Sequence, residues 1–302
     1  MKYILNLLLI LLLSTSVNGQ SAKDNEANNK EFVMEAGLAN NKQSVKAIDY
    51  GNNKEAGNYI TINGSKQYFE IYGEGEPLVL IHGNGGNIAY MQPQIEFFSR
   101  RYEVIVMDCR GRGRSELGKD SLTYTQITRD VAAILDYLHI DSTIVVGRSD
   151  GGIIALLLAI ERPEKVKKMV AFAANLTPDT LSLFPFFYNG VLHDRQEADE
   201  MLAMKDTTQK WDVIQQRNRM MEFQPHISAR DLHKIKCPVL VMSTDRDIVR
   251  EEHTLFIYRN IARANLCILP NEDHYVTKNN AELFNETVQK YLDLHFEQKE
   301  RN

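Results

Sequence analysis

Residues 142–160 combine a short strand, a tight turn and a long apolar helix, which narrows the possible folds more than any other part of the chain. Thr143 to Val146 is a β-branched run typical of a buried strand, and Ile153 to Ile160 is rich in leucine and alanine, which favour helix. Between them lies only Gly147-Arg148-Ser149-Asp150-Gly151-Gly152. So short a turn forces its central residue into strained backbone angles and requires small neighbours. The sequence therefore predicts a serine at the apex of a strand–turn–helix unit.

This turn matches the Gly-x-Ser-x-Gly nucleophile elbow, in which a serine hydroxyl is exposed above the end of a sheet. Gly147 and Gly151 are the elbow glycines, and Ser149 is the candidate nucleophile. The alternative is a glycine-rich turn that contains an incidental serine. The agreement of context and spacing with the other motifs of the chain argues against that alternative.

Five motifs together resemble those of the α/β-hydrolase superfamily, in particular single-domain hydrolases with a Gly-x-Ser-Asp-Gly-Gly elbow. The resemblance covers roughly residues 58 to 297 and depends on the elbow and on His82–Gly86, Asp108–Ser115, Asp245–Asp247 and Asp273-His274. One departure is Arg148, where many members have tryptophan before the serine. This departure keeps the nucleophile but changes the charge beside it.

The order of predicted elements also indicates an α/β fold. Strands and helices alternate through residues 57–175 and 231–302, which predicts a mostly parallel, doubly wound sheet with helices on both faces. Residues 176–230 contain no clear strand and scatter aromatic and methionine side chains among charges. We interpret this segment as a helical cap over the carboxyl ends of the strands, whose apolar side chains either select the substrate or only hold the cap to the core.

The N-terminus has the features of an export signal. Lys2 is followed by the apolar run Ile4 to Leu13 and then by small residues up to Gly19, which predicts a signal peptide over residues 1–19. The run is shorter than the roughly 20 residues that span a bilayer, although an uncleaved anchor is the alternative. We therefore expect a secreted or periplasmic protein without stable membrane insertion after cleavage. Residues 20–56 are polar and are predicted to be a flexible lead-in.

Charge and cysteine content exclude several classes of protein. The chain has 302 residues, with 35 basic against 40 acidic side chains, and a mildly acidic protein is a poor candidate for binding nucleic acid. The three cysteines are each in or beside a predicted strand, and no Cys-x-x-Cys occurs: Cys109, Cys237 and Cys267. We interpret them as buried small hydrophobic residues and expect neither a metal site nor a disulfide framework.

A glycine-rich loop follows the predicted strand Pro77 to Ile81. A dinucleotide fingerprint would need glycine at position 88, which is Ile88, so this alternative is disfavoured. The resemblance implies instead an oxyanion hole formed by the backbone amides of Asn84 and Asp150. It also implies that His82 is structural, and that the Asp108–Ser115 loop is architectural despite the phosphate-binding appearance of its three arginines.

The resemblance implies the chain order serine, acid, histidine for a catalytic triad. Three histidines follow the acid loop, and His274 is predicted to be the base because it alone lies in a loop after a strand, whereas His253 and His295 lie in predicted helices. The acid is predicted to be Asp247. Asp245 is the alternative acid, unless it only binds the local backbone in a turn.

These residues imply hydrolysis of a small-molecule acyl substrate, such as an ester, through an acyl-enzyme and without a metal or organic cofactor. Serine at the apex disfavours the dehalogenase and epoxide hydrolase members, which have aspartate there. One alternative is an aminopeptidase of the proline-releasing type, whose amine-binding acid could come from Glu197, Asp199 or Glu200. Another is a non-catalytic binding protein. Arg148 is expected either to favour anionic substrates or to form an exposed salt bridge.

Overall fold

The computed structural model describes residues 47–296. The predicted signal peptide and most of the predicted lead-in lie outside the described residues. Eight strands of the described part form one sheet: β1 Gly57–Ile62, β2 Ser65–Tyr72, β3 Glu76–Ile81, β4 Tyr102–Met107, β5 Thr143–Arg148, β6 Val166–Phe172, β7 Val239–Arg246 and β8 Ala264–Asp273. The helices are α1 Gln92–Phe98, α2 Tyr124–Tyr137, α3 Asp150–Glu161, α4 Pro185–Ala203, α5 Trp211–Phe223, α6 Ala229–Leu232, α7 Glu251–Asn260, α8 Val276–Asn279 and α9 Ala281–Asp293.

The strand order is β1-β2-β4-β3-β5-β6-β7-β8. Pairing is antiparallel between β1 and β2 and between β2 and β4, and parallel between all the other neighbours. The first hairpin turns at Asn63 and Gly64, whose φ angles of 50° and 75° suit a tight two-residue turn. The predicted α/β fold with a mostly parallel sheet is confirmed.

Both faces of the sheet are buried, which explains why its central strands are continuous apolar runs. In β3, Leu78 and Leu80 face one apolar cluster with α1 and α9, whereas Val79 and Ile81 face a second cluster with α2, α3 and α7. All four side chains are at most 2% exposed. The sheet is thus the middle layer of a three-layer structure.

The topology brings two loops together at one edge of the sheet. After β3 the chain moves to β4 on one side, and it then returns past β3 to form β5 on the other side. The loops that follow β3 and β5 therefore begin at neighbouring strand ends and lead in opposite directions across the sheet. A position where the strand order reverses in this way is the usual ligand-binding position of open α/β sheets. The glycine-rich loop and the predicted elbow are the loops at this position.

Helices α4 and α5 lie between β6 and β7, inside the segment predicted to be the cap. They pack as a helical pair, and their buried apolar side chains include Val191, Trp211 and Met220. No helix among residues 47–296 is both long enough and apolar enough to cross a bilayer. All three cysteines are free, with Cys109 and Cys237 buried and Cys267 partly buried.

Residues 50–53, which belong to the predicted lead-in, are packed against the core. Tyr50 is 9% exposed, and the amides of Gly51 and Asn53 donate hydrogen bonds of 2.9 Å to the carboxylate of Glu70. The buried Glu70 also accepts hydrogen bonds from two tyrosines of its own strand. The fold therefore begins before residue 57.

Three boundaries near the carboxyl terminus differ from the predictions. Strands β7 and β8 continue to Arg246 and Asp273, where the sequence predicted loops, because these two residues still pair across the ladder after a register shift. The predicted closing helix is interrupted at Asn280, whose φ of −140° is not helical. The ends of β7 and β8 carry polar side chains, so the apolar runs that predict these strands in the sequence stop before the strands do.

Candidate active site

Ser149 stands between β5 and α3 with φ 55° and ψ −120°. A positive φ is uncommon for any residue other than glycine and indicates a strained turn. The serine amide donates to the carbonyl of Phe172 on the neighbouring strand at 2.8 Å, and the serine carbonyl accepts from the amide of Gly152 at 2.7 Å. Hydrogen bonds on both sides of the serine hold the turn, as the sequence predicted.

The two elbow glycines are required by close backbone packing. A Cβ atom at Gly147 would lie 2.1 Å from the carbonyl oxygen of Gly151, and one at Gly151 would lie 2.1 Å from that of Ile81. Real Cβ atoms do not approach backbone that closely. The missing side chains therefore allow α3 to begin directly against the ends of β3 and β5.

The structure brings Ser149, His274 and Asp247 into one chain of hydrogen bonds. His274 Nε2 lies 3.2 Å from Ser149 Oγ, and His274 Nδ1 lies 2.7 Å from Asp247 Oδ1. With Nδ1–H donating to the carboxylate, Nε2 is free to accept the serine proton. The ring of Phe172 stacks on the imidazole at a centroid distance of 6.3 Å and supports its orientation.

Asp247 is 4% exposed and is surrounded by hydrogen-bond donors. Its Oδ1 accepts from the amide of Ile248 at 2.7 Å, and its Oδ2 accepts from the hydroxyl of Ser243 at 3.1 Å. Burial raises the pKa of Asp247, but the hydrogen bond and charge of His274, together with the amides of Ile248 and Val249, outweigh burial and leave the pKa below its usual value. The carboxylate is therefore ionised at neutral pH.

Asp245, the alternative acid, is exposed and points elsewhere. Its carboxylate accepts hydrogen bonds from the amides of Asn271 and Glu272 at 2.8 and 3.2 Å. It thus joins β7 to β8 instead of contacting the imidazole. His253 lies in α7, where its Nε2 accepts from the amide of Leu176 at 2.9 Å.

The glycine-rich loop after β3 lies directly against the elbow. A Cβ atom at Gly83 would be 3.0 Å from the Cβ of Ser149, so the loop passes within contact distance of the serine. Asn84 follows, and its side-chain amide contacts the sulfur of Met221 on α5. Asp150 is the first residue of α3, where backbone amides lack partners within the helix. The two predicted oxyanion-hole residues are therefore both neighbours of Ser149: Asn84 follows the loop residue that contacts the serine, and Asp150 follows the serine in the chain.

The side chain of Asp150 turns away from the nucleophile into a buried polar cluster. Its Oδ1 accepts from the hydroxyl of Tyr124 at 2.8 Å, and its Oδ2 lies 3.7 Å from Arg112. Burial raises the pKa of Asp150, although Arg112 and Tyr124 oppose this effect. The sequence analysis missed this cluster because no local pattern links residues 112, 124 and 150.

Arg148 forms no exposed salt bridge, and that expectation is wrong. Its side chain is 5% exposed and lies between the rings of Tyr90 and Tyr275, at 5.1 and 5.5 Å from their centroids. One of its nitrogens donates to the carbonyl of His274 at 3.0 Å. Arg148 therefore ties the glycine-rich loop to the histidine loop, and the aromatic faces stabilise its charge.

The arginines of the Asp108–Ser115 loop do not form a phosphate site. Arg110 is 1% exposed and pairs with Asp130 at 2.7 Å. Arg112 donates to the carbonyl of Arg110, and Arg114 contacts Tyr59 and Asn52. These side chains are occupied by structural partners, as expected of an architectural loop.

His82 is fully buried at the start of the glycine-rich loop. Its Nδ1 lies 2.7 Å from the carbonyl of Gly83, and its Nε2 accepts from the amide of Cys109 at 3.0 Å. Burial lowers the pKa of His82 to about 3. The neutral ring therefore joins the loop after β3 to the loop after β4, in the structural role that was expected.

A narrow cavity lies against Ser149 beneath the cap. Its apolar walls come from the cap and from the loop after β7, and include Leu183, Phe187, Met221, Ile248 and Val249. Its volume is about 10 Å³, roughly the room that one water molecule needs. Two larger cavities, of about 390 and 260 Å³, lie along α5 and contain none of the triad residues.

Comparison with known proteins agrees with this geometry. A family model described as the alpha/beta hydrolase fold matches residues 76–202. RutD of Azorhizobium caulinodans, provisionally assigned as a carbamate hydrolase, is 38% identical over 102 residues, which are 34% of this chain and 38% of RutD. The serine hydrolase BPHL of Homo sapiens is 25% identical over 252 residues, 77% of this chain and 85% of BPHL.

Solved structures show the same fold. The crystal structure of the enol-lactonase from Burkholderia xenovorans LB400 superposes with a TM-score of 0.67 at 22% identity, covering 78% of this chain and all of that chain. The described part of the chain therefore has the α/β-hydrolase fold, and residues 76–202 match the model of that fold. Its curated relatives named above are hydrolases.

The contact of Gly151 with β3 leads to a prediction about stability. Gly151→Ala should lower the free energy of unfolding by roughly 2–4 kcal/mol, because the added methyl group meets the carbonyl of Ile81. Gly190→Ala is the matched control, since its Cβ in α4 would meet no atom within 4 Å. Urea denaturation measures both variants. Equal stabilities of the two variants would contradict the packing argument.

The burial of His82 leads to a prediction about pH. The unfolded imidazole binds a proton below about pH 6.5, whereas the folded one stays neutral until about pH 3. Its contribution to stability is therefore complete above pH 6.5 and should fall by about 1.4 kcal/mol per pH unit as the pH decreases from there. Urea denaturation between pH 7 and pH 5 should show a shallower loss for His82→Gln than for the unsubstituted protein. The same pH dependence in both would show that His82 does not contribute.

Proposed function

We propose that the protein is a serine hydrolase that cleaves carboxylic esters or related acyl compounds of small molecules through an acyl-enzyme. The observation that carries this proposal is the hydrogen-bonded series from Ser149 Oγ through the imidazole of His274 to Asp247. A serine hydroxyl is a weak nucleophile until a neighbouring base takes its proton, and this arrangement supplies the base and the group that orients it.

In the first half of the reaction, Ser149 Oγ attacks the substrate carbonyl carbon while His274 Nε2 accepts the hydroxyl proton. The ionised Asp247 stabilises the imidazolium that forms. The backbone amides of Asn84 and Asp150 donate to the oxyanion of the tetrahedral intermediate, each contributing on the order of 3 kcal/mol. The imidazolium then protonates the leaving group, which departs and leaves the acyl-enzyme.

In the second half, His274 takes a proton from water, and the resulting hydroxide attacks the acyl carbon. Collapse of the second tetrahedral intermediate returns the proton to Ser149 and releases the acid. The cavity against Ser149 has room for this water but not for a substrate. We therefore expect α4 and α5 to move away from the sheet when a substrate enters.

Two named relatives support acyl chemistry of this kind. BPHL is named a serine hydrolase, and the structural neighbour from Burkholderia is an enol-lactonase, which acts on a cyclic ester. Esters and lactones form the same tetrahedral intermediate at a serine. The apolar walls of the cavity favour an acyl or leaving group with a hydrophobic part.

The aminopeptidase alternative has little support in the cap. Asp199 contacts Arg195 and Gln215, and Glu200 accepts from Gln196. Glu197 is exposed on the outer face of α4. None of these carboxylates lines the cavity against Ser149. The non-catalytic alternative is disfavoured because the three triad side chains are present and in contact.

The triad assignment predicts the effect of three substitutions. Ser149→Ala should abolish hydrolysis of p-nitrophenyl acetate and labelling by a fluorophosphonate probe. Asp247→Asn should lower kcat by roughly 10³- to 10⁴-fold, because the histidine loses the partner that fixes its tautomer. Asp245→Asn is the matched control and should stay within about threefold of the unsubstituted enzyme.

The outcomes of this experiment separate the competing assignments. A folded, unsubstituted protein that is neither labelled nor active on any ester would refute the serine hydrolase. If Asp245→Asn were the damaging change and Asp247→Asn harmless, the acid would be wrongly assigned while the nucleophile would stand.

We also propose that residues 1–19 direct export and are removed after Gly19. The support is the basic start, the short apolar run and the small residues that follow it. Expression of the full chain in a Gram-negative bacterium should give a mature protein that begins at Gln20 outside the cytoplasm, as measured by fractionation and intact mass. A cytoplasmic protein that retains residues 1–19 would contradict export.

A further inference from the structure

Arg217 lies on the cap helix α5 and extends toward the glycine-rich loop. Its Nη1 is 3.4 Å from the position that a Cβ at Gly85 would occupy, so the guanidinium lies over the loop next to Asn84. Met221, one helical turn further along α5, lines the cavity against Ser149. Arg217 and Met221 therefore share the face of α5 that is turned toward the nucleophile.

The other buried arginines near the site have partners. Arg110 is paired with Asp130, and Arg148 lies between two tyrosines and donates to a carbonyl. Arg112 donates to a carbonyl and lies 3.7 Å from Asp150. Their positive charges are thus balanced by groups that belong to the protein.

Arg217 differs from them. Its Nε is buried without a hydrogen-bond partner, as are those of Arg112 and Arg148, but within residues 47–296 the rest of its guanidinium also forms no ion pair and no hydrogen bond. Burial lowers the pKa of Arg217 and so does the nearby charge of Arg112, while the carboxylates of Asp150 and Asp194 partly oppose them. A partly buried cation without a partner is unfavourable unless a ligand supplies the opposite charge.

The surroundings of Arg217 leave its N–H donors available to a ligand. The carboxylates of Asp150 and Asp194 act on its charge from nearby, but within residues 47–296 neither forms an ion pair or a hydrogen bond with it. A planar guanidinium with parallel N–H donors binds a carboxylate with two hydrogen bonds. A carboxylate of a bound substrate would therefore be a well-matched partner.

We propose that the substrate of this site carries a carboxylate a few bonds from the scissile carbonyl, and that Arg217 binds this carboxylate. This inference rests on the proposed serine hydrolase function and specifies its substrate class. The sequence suggested Arg148 as the residue that favours anionic substrates, and this inference assigns that role to Arg217 instead. The competing explanation is that Arg217 only holds α5 against the glycine-rich loop.

The experiment compares anionic with neutral esters of closely similar shape. One pair places the carboxylate in the leaving group, 4-acetoxybenzoate against its methyl ester. The other places it in the acyl group, the p-nitrophenyl monoester of adipic acid against p-nitrophenyl hexanoate. Values of kcat/KM are measured for the unsubstituted enzyme and for Arg217→Gln, Arg217→Lys and Arg219→Gln.

We expect the unsubstituted enzyme to prefer the anionic member of at least one pair. Arg217→Gln should lower kcat/KM for that member by about 10- to 100-fold, mainly through KM, and change the neutral member by less than about threefold. Arg217→Lys should recover part of the preference because it keeps the charge. Arg219→Gln, an exposed position of the same helix, should leave both members of each pair unchanged.

Two results would overturn the assignment without affecting the proposed function. The first is an unsubstituted enzyme that hydrolyses both pairs without preferring an anion. The second is equal losses for anionic and neutral esters in Arg217→Gln, the result expected if Arg217 only positions the cap. Absence of all ester hydrolysis, together with absence of fluorophosphonate labelling at Ser149, would refute the proposed function and this inference with it.

Discussion

The contact between the backbone of Gly151 and the carbonyl of Ile81 allows the rest of the site to form. It brings the start of α3 against the end of β3, and the helix can approach so closely only because the residue has no side chain. The strained backbone of Ser149 follows from this approach, since the chain must reverse within a single residue. Hydrogen bonds from neighbouring strands and from the helix hold the turn, so core packing offsets the strain.

Buried polar groups connect the loops that surround this turn. His82 joins the loop after β3 to the loop after β4, and Arg148 joins the loop after β3 to the histidine loop. Each contacts groups of both loops that it joins, which makes it a rigid connection. The positions of the glycine-rich loop and the imidazole are therefore coupled through charged and polar contacts near Ser149. Arg217 is outside this system, because it approaches from the cap and forms no ion pair or hydrogen bond with the part of the chain that the structure describes.

Much of the fold and the triad could be predicted from the sequence because they depend on local patterns. The apolar runs of the parallel strands, the glycines of the elbow and the position of His274 after a strand are each visible within a few residues. The carboxyl ends of β7 and β8 were missed because their residues are polar, and the pairing of Arg246 with Asp273 depends on two distant segments. The role of Arg148 was also not predictable, since it depends on Tyr90 and Tyr275, which are far from it in sequence.

The charge of the site likewise depends on contacts between distant segments. Sequence reasoning could identify a cation beside the nucleophile but not whether its charge is already balanced. That balance depends on tertiary contacts: Arg148 is enclosed by aromatic rings, whereas Arg217 is more than 60 positions away and reaches the site only because the cap folds over the sheet. The spacing of four positions between Arg217 and Met221 is informative only once α5 is known to face the sheet.

The hydrogen bond between Ser149 and His274 joins residues 125 positions apart, and the imidazole follows the last strand of the sheet. During synthesis the elbow leaves the ribosome long before β8 exists. A nascent chain can complete its central strands while Ser149 still lacks its histidine partner. The hydrogen-bonded pair therefore forms only when the final strand docks at the edge of the sheet.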